Sequence, residues 1–436
     1  MSPRTIPPVP SARRAALECL SLALDKGVDV QSGLNQVLSQ RDLSPRDAAL
    51  ATELSYGYLR YKGRIRYVLS RYLNKPDKLP PRLFRAMGVA AFEIMFLDRV
   101  PNYASVDWAV SLAKQTFNLS MSRLANAVLR KVSSAGESLS EPDFYRDDDP
   151  DTMTFYSRYY SCPYWLAGLW LASYGPENAA RYLAATLQAP PLGLRVNRTR
   201  PEYEEVFSRL SASPACVAAR EPGVALGPGF KEPLDDLLER GVVSRQSMAS
   251  QEALALLEPG TWKTPVWDAC AGRGGKTAYL LEQGVTDLYA SDVHSSRLAL
   301  LNKETARLGL DPARVFLADA SKPPPLREKP GTILLDAPCS GLGVLSRRPD
   351  IKWKRTPKDL DDLHSLQRAI LENAYSILPS GGSIAYITCT LNPAENQELI
   401  SSFIEAHWDI RLDRSQTFRP SSPLREFFFI ALVKKA

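Results

Sequence analysis

The sequence predicts three folded parts. These are an all-helical N-terminal domain (residues 1–140), a small α+β connecting domain (141–240), and an α/β domain (241–436) built on an open, doubly wound parallel sheet. Three observations predict them. Apolar residues recur at helical spacing from residue 11 to 135. The acidic, proline-bearing stretch Glu141-Pro-Asp-Phe-Tyr-Arg-Asp-Asp-Asp-Pro150 follows and reads as a linker. From residue 241 onward, short apolar runs alternate with helical stretches, the pattern of a parallel sheet with crossover helices.

In the first part, Ser11 is placed to cap a helix that carries Leu17, Leu20 and Leu24 on one face and stops near Gly27. Ser44-Pro45 is a cap followed by proline in the first turn. A later helix puts Phe84, Met87, Ala91 and Ile94 on one stripe, and another carries Val106, Ala109, Val110 and Ala113. Between them, Arg60-Tyr-Lys-Gly-Arg-Ile-Arg-Tyr67, continuing to Arg71 and Tyr72, mixes cations with tyrosines. Arginines neutralise phosphates and tyrosines stack on unpaired bases; alternatively, the tyrosines are core and the cations face water. Residues 1–140 carry a net charge of +9, leaving −3 of the chain's +6 on the remainder, a distribution that suits a polyanionic partner. In the connecting part, Trp165 to Tyr174 has a helical pattern and Gly193-Leu-Arg-Val-Asn197 reads as a strand.

Composition excludes several classes. Hydrophobic content of 44% and charged content of 23% are ordinary for a globular protein. No apolar stretch approaches the roughly 20 residues that span a bilayer, and Met1-Ser-Pro-Arg-Thr-Ile-Pro-Pro8 lacks a secretory core, so no membrane and a cytoplasmic location are expected. The six cysteines (Cys19, Cys162, Cys216, Cys270, Cys339, Cys389) form no Cys-x-x-Cys pair, so neither structural zinc nor a disulfide framework is expected. The default for His294, His364 and His407 is a surface or loop position.

The α/β part opens with Val266-Trp-Asp-Ala-Cys-Ala-Gly-Arg-Gly-Gly-Lys-Thr277. A phosphate-binding loop ending at Lys276-Thr277 would need glycine where Cys270 stands, and a dinucleotide fingerprint would need glycine at Thr277. What fits is Asp-x-x-x-Gly-x-Gly (Asp268, Gly272, Gly274), the form of an S-adenosylmethionine turn. The next run, Asp287-Leu-Tyr-Ala-Ser-Asp292, ends in an acid about 20 residues on, suited to ribose hydroxyls. A third, Arg314 to Ala320, presents Asp319 toward an adenine amine. Ala271, Gly275 and Arg297 complete the candidate cofactor set, together with Asp336. For each acid, capping of the helix after the strand is the alternative.

Two further strand-like runs, Thr332 to Asp336 and Ser383 to Thr388, each lead directly into a cysteine loop. These are Asp336-Ala-Pro-Cys-Ser-Gly341 and Thr388-Cys-Thr-Leu-Asn-Pro393. If the strands are neighbours, about 4.8 Å apart, both thiols open onto one site. Two thiols and a carboxylate suit methylation of cytosine at carbon 5. A thiolate adds at carbon 6, a carboxyl group assists at nitrogen 3, and a base takes the carbon-5 proton afterwards. Cys339, Cys389 and Asp336 are the candidate catalytic residues. The other four cysteines read as small buried hydrophobes.

Asp268 to Thr277, Asp336-Ala-Pro-Cys-Ser-Gly-Leu-Gly343, Arg347-Arg-Pro-Asp-Ile-Lys-Trp353 and Thr388-Cys-Thr-Leu-Asn-Pro-Ala-Glu-Asn396 resemble the RNA cytosine-5 methyltransferases. Arg99 to Val106 and Leu124 to Arg130 resemble the NusB-like RNA-binding domain of the RsmB (Sun/Fmu) branch. Trp165 to Asn197 is similar to that family's connecting domain. The resemblance implies a NusB-like domain, a connecting domain and a Rossmann-like class I methyltransferase domain. It implies Cys389 as nucleophile, Cys339 in product release and Asp336 on the cytosine, with Gly272, Gly274, Lys276, Asp292 and Asp319 around the cofactor. The substrate implied is a cytosine of small-subunit (16S) ribosomal RNA, unpaired or flipped; a monomer without metal is expected. The chain departs from the family pattern at Ala271-Gly-Arg-Gly-Gly275, at Gln246-Ser247 and at Pro423-Leu-Arg-Glu-Phe-Phe428. Two other readings stay open at this point. A DNA cytosine-5 methyltransferase would attack with the Pro-Cys thiol and need no Cys389. A non-catalytic RNA-binding assembly factor would keep the cofactor fold without transfer.

Overall fold

The structure, a computed structural model, describes residues 10–146, 148–312 and 314–436. Two features of the sequence reading, the N-terminal octapeptide and Asp147 of the acidic stretch, lie outside these residues. The chain divides into two compact units. One runs to Gln188 and includes Arg348–Lys354; the other comprises Ala189–Arg347 and Arg355–Ala436.

The first unit is helical. Its helices are Ser11–Asp25, Val30–Ser39, Pro45–Ser70, Pro81–Phe96, Asn102–Thr116, Leu119–Ala135, Thr152–Tyr159 and Tyr164–Thr186, with the short Ile351–Lys354. Ser44 accepts a hydrogen bond from the Asp47 amide with Pro45 in the first turn, the expected cap. Ser11 differs from expectation. It is the first helical residue, Pro10 holds the cap position, and no side chain caps that end. The helix Pro81–Phe96 is not a single stripe. Leu83 and every residue from Arg85 to Glu93 are buried, because helices pack on it from several sides. Two glycines allow one of these approaches: a Cβ on Gly57 would lie 2.0 Å from Phe92, and one on Gly88 2.6 Å from Tyr58.

The basic–aromatic segment faces largely inward within this unit. Arg60 is buried, Tyr61 stacks on Phe96 with ring centroids 4.0 Å apart, and buried Arg64 donates to the Tyr159 carbonyl at 2.9 Å. The stretch after residue 140 is not extended either. Pro142–Tyr145 forms a 3-10 turn that buries Tyr145 beside Tyr67. The helix starting at Tyr164 continues past Tyr174 and kinks where Gly175 has φ +71 and Pro176 follows.

The second unit holds two sheets. Strands β1 (Leu192–Val196), β2 (Cys216–Arg220), β3 (Gly223–Leu226) and β4 (Val243–Arg245) form an antiparallel sheet in the order β2-β3-β1-β4. Helix Tyr203–Ser211 contributes Tyr203, Val206 and Leu210 to its core. The larger sheet contains β5 (Val266–Asp268), β6 (Leu288–Asp292), β7 (Arg314–Leu317), β8 (Thr332–Asp336), β9 (Ser383–Thr388), β10 (Ile410–Thr417) and β11 (Phe429–Lys435). Its order is β10-β11-β9-β8-β5-β6-β7. Strands β5 to β9 are parallel, as expected, but β11 runs antiparallel between β9 and β10. The physical reason is the connection from β10 to β11, which carries no crossover helix to return the chain in the same direction. Strand order reverses between β5 and β8, and the crevice at their carboxyl ends is where an open α/β sheet takes its ligands.

Candidate functional site

At that crevice the chain leaves β5 through the glycine turn. Gly272 (φ +57) and Gly274 (φ +83) occupy backbone regions that L side chains rarely adopt. A Cβ on Gly274 would lie 2.7 Å from Leu301, whereas one on Gly272 would meet nothing within 4 Å. The Gly272 amide donates to Asp292 at 3.0 Å, tying the turn to the end of β6. The other Asp292 oxygen accepts the His294 amide at 2.8 Å, and Arg297 lies 3.6 Å from the carboxylate. The Ala271 amide bonds the Ser291 carbonyl at 2.9 Å. Asp319, just beyond β7, accepts from the Ser321 amide and hydroxyl and pairs with Lys322 at 3.2 Å. The Ser321 bonds lead in holding its carboxyl below the usual range.

Asp268 is fully buried at the end of β5. One oxygen accepts the Thr277 hydroxyl at 2.7 Å; the other has no hydrogen-bond partner. Burial pushes its pKa up to about 7 against the Thr277 bond. On the neighbouring strand, Asp336 receives the Lys276 ammonium at 2.6 Å. Burial works against that ammonium, but Asp336 outweighs it and holds Lys276 above the usual lysine range.

Strands β8 and β9 are hydrogen-bonded neighbours, so the two cysteine loops emerge side by side. The Cys339 and Cys389 sulfurs lie 3.4 Å apart, and the Cys389 amide points at the Cys339 sulfur, also at 3.4 Å. The Cys389 carbonyl accepts the Gly343 amide at 2.9 Å, which binds the second loop to the first. A hydrogen bond to Cys389, and then burial, push the Cys339 thiol well above its ordinary pKa. The structure thus brings together Asp336, Cys339, Cys389 and Lys276. Of the remaining cysteines, Cys19 and Cys162 are buried as expected, while Cys216 and Cys270 are partly exposed. His407 holds the expected loop position, just after the helix Gln397–Ala406; its partly buried ring lies 3.9 Å from that of Tyr375, centroid to centroid, and bonds Glu372 at 3.0 Å.

This constellation has relatives. Residues 254–424 match the family described as 16S rRNA methyltransferase RsmB/F, residues 10–134 the NusB family, and residues 162–224 the RsmF/B-like ferredoxin-like domain. A "Probable ribosomal RNA small subunit methyltransferase B" of Synechocystis sp. is 32% identical, covering 92% of this chain and 94% of the relative. The Vibrio cholerae "Ribosomal RNA small subunit methyltransferase B" is 33% identical over 98% of each chain. The chain belongs to the RsmB/F family of 16S rRNA methyltransferases. The crystal structure of PH0851 shares the fold, with a TM-score of 0.77 and 22% identity over 99% of each chain.

The family's cofactor is S-adenosylmethionine, and the residues at the turn fit it. Asp268 presents a buried oxygen without a partner, Gly272 opens onto empty space, and acids stand at or just beyond the ends of three adjacent strands, β5, β6 and β7. Among the described residues no group of three or more His, Cys, Asp or Glu is arranged to hold a metal ion, and no helix is long and apolar enough to cross a membrane.

Two arrangements of residues escaped the sequence reading, one beside the cofactor turn and one within the helical unit. Buried Arg195 of β1 pairs with Glu282 at 2.8 Å and donates to the Gly275 carbonyl at 2.9 Å, holding the first turn of the helix that carries Lys276. A period-two strand pattern marks Arg195 only as an inward-facing position, and its charge argued against burial. The family motif after Arg347 belongs to the helical unit. Lys352 donates to the Arg60 carbonyl at 2.8 Å and Trp353 to the Leu59 carbonyl at 2.6 Å.

Proposed function

We propose that the protein transfers a methyl group from S-adenosylmethionine to carbon 5 of a cytosine in 16S ribosomal RNA, through a transient bond between Cys389 and ring carbon 6. The observation that carries this reading is the pair of sulfurs 3.4 Å apart beside the Lys276–Asp336 pair. A single Pro-Cys thiol would serve a DNA-type mechanism; a second thiol in contact with it argues for the RNA type. When bound, the cofactor supplies an electrophilic methyl group.

The residues act on the cytosine in order. The Cys389 thiolate adds to carbon 6, and the ring electrons move to carbon 5, which becomes nucleophilic enough to take the methyl group. As the thiolate adds, nitrogen 3 takes up a proton, and Asp336, held in place by Lys276, accepts a hydrogen bond from the resulting N–H and so favours the addition. Loss of the carbon-5 proton to a base then returns the electron pair, and the carbon–sulfur bond breaks to free Cys389. Cys339 serves this release step. Asp268, Ala271, Gly272, Gly274, Gly275, Asp292, Arg297 and Asp319 form the cofactor side of the site. We assign residues 1–140 to RNA binding, 141–240 to the connecting domain and 241–436 to catalysis.

The test is methyl transfer from labelled cofactor to small-subunit rRNA, followed by digestion to nucleosides. Label in 5-methylcytidine, lost in Cys389→Ala, is the expected result. Label in any other nucleoside, or undiminished transfer by Cys389→Ala, refutes the proposal.

A further inference from the structure

Glu395 is the most heavily bonded side chain behind the two thiols. It lies in the 3-10 turn Pro393–Glu395 and is fully buried. One of its oxygens accepts the Ser340 amide at 2.8 Å and the Gln367 side-chain amide at 2.9 Å. The other accepts the Ser340 hydroxyl and the Asn392 side-chain amide, the latter at 3.1 Å. With the Ser340 proton on Glu395, the Thr390 hydroxyl, 2.6 Å away, donates to Ser340. Gln367, on helix Pro357–Ile377, also donates to the Pro338 carbonyl at 2.9 Å.

These partners are not scattered. Pro338 and Ser340 flank Cys339, while Thr390 and Asn392 follow Cys389. One carboxylate therefore fastens both cysteine loops and braces them against a helix. A carboxylate has two acceptor oxygens with about four lone-pair sites, and here both oxygens face only donors. Burying that group is costly unless such bonds are made, and charge-assisted bonds of this kind fix geometry more firmly than neutral ones. No surface of Glu395 is open to a substrate, so it cannot itself touch the base.

We infer that Glu395 is a positioning residue for the methyl-transfer reaction, holding Cys339 against Cys389 through Ser340, Asn392 and Gln367. The inference rests on the two-thiol reading of the site. Glutamine at this position has nearly the same shape but puts an NH2 against donors in either amide orientation. Glu395→Gln is therefore expected to loosen the loops without opening a cavity.

The experiment uses the full chain and measures the distance between the thiols without RNA. Diamide oxidises the two thiols to a Cys339–Cys389 disulfide. It takes up their two protons and two electrons as it becomes the hydrazine, and the cross-linked peptide is counted by mass spectrometry. In Glu395→Gln the cross-linking rate is expected to fall about ten- to a hundred-fold, as is kcat for methyl transfer, since misplacing reacting groups by about 1 Å costs that much. KM for the cofactor is expected to stay within about two-fold, because the glycine turn makes none of these bonds. Ser340→Ala removes one donor and keeps the carboxylate; a smaller fall in both rates is expected, and it serves if Glu395→Gln does not fold. Wild-type cross-linking and kcat in folded Glu395→Gln or Ser340→Ala, with only a lower melting temperature, would overturn the inference by showing a purely structural role. Because cross-linking needs no RNA, a slowed rate upholds the positioning role even if the product proves not to be 5-methylcytidine.

Discussion

Replacing Asp268 with asparagine is expected to stabilise the protein at alkaline pH while weakening its grip on the cofactor. The carboxyl is fully buried, with one oxygen on Thr277 and the other unpartnered. Its pKa rises from 3.8 to about 7, chiefly through burial. At about 1.4 kcal/mol per unit, the ionised form costs the folded state up to about 4 kcal/mol. The sign follows from proton binding. Between pH ~4 and ~7 the folded chain holds a proton that the unfolded chain has lost. Wild-type stability contributed by this group is therefore complete below pH ~4 and falls as pH rises through about 7. Asparagine carries no charge at any pH, but its NH2 takes the unpartnered position, at about 1–3 kcal/mol. The net expectation is that Asp268→Asn is more stable than wild type by about 1–3 kcal/mol at pH 8, and that this advantage shrinks by about 2.5 kcal/mol on going down to pH 5. Urea denaturation of both full-length proteins from pH 5 to 8.5 reads the difference directly. Calorimetry of cofactor binding is expected to show affinity reduced at least about ten-fold, the stability–function exchange common at binding sites. A stability difference that does not change with pH, or an asparagine variant less stable at pH 8, would refute the reasoning.

Three more outcomes follow from the geometry. Gly343→Ala would place a Cβ 2.0 Å from the Phe427 carbonyl and 2.9 Å from that of Cys389; a loss of more than about 2 kcal/mol and of methyl transfer is expected by thermal melting and activity assay. Lys352 is buried with its pKa lowered to about 7, chiefly by burial, so native-state stability should rise with pH between about 7 and 10.5; Lys352→Met should remove that slope in paired denaturation curves. Asp292→Ala frees the Gly272 amide at the cofactor turn, and an affinity loss of about ten-fold or more by calorimetry is expected, against a thermal shift of only a few degrees.

Where local pattern decides structure, the sequence was readable. The runs ending at Asp336 and Thr388 became β8 and β9 with the expected ends, because buried parallel strands are continuous apolar segments followed by loops. Their adjacency put Cys339 and Cys389 in one place, as their positions after successive strands suggested. The glycine turn was legible because positive φ demands glycine. What escaped the sequence depends on partners distant along the chain. Tyr61 and Arg64 turn inward because helices such as Pro81–Phe96 and Thr152–Tyr159 cover them, and nothing in Arg60 to Tyr72 announces that. The antiparallel β11 was hidden because an apolar strand has the same pattern in either direction. Glu395 lay in plain view within Asn392-Pro-Ala-Glu-Asn396, yet a glutamate in a polar loop reads as solvated until Ser340, fifty-five residues away, is seen bonding to it.

The central claim is a covalent bond between Cys389 and the cytosine, resolved with the help of Cys339. Its most direct test incubates wild type, Cys339→Ala, Cys389→Ala and the double variant with cofactor and small-subunit rRNA, then separates protein–RNA adducts on a denaturing gel. The account expects a stable adduct in Cys339→Ala, where release fails, and none in either variant lacking Cys389. An adduct that persists in Cys389→Ala and disappears in Cys339→Ala would contradict it, because the attacking sulfur would then be the other one.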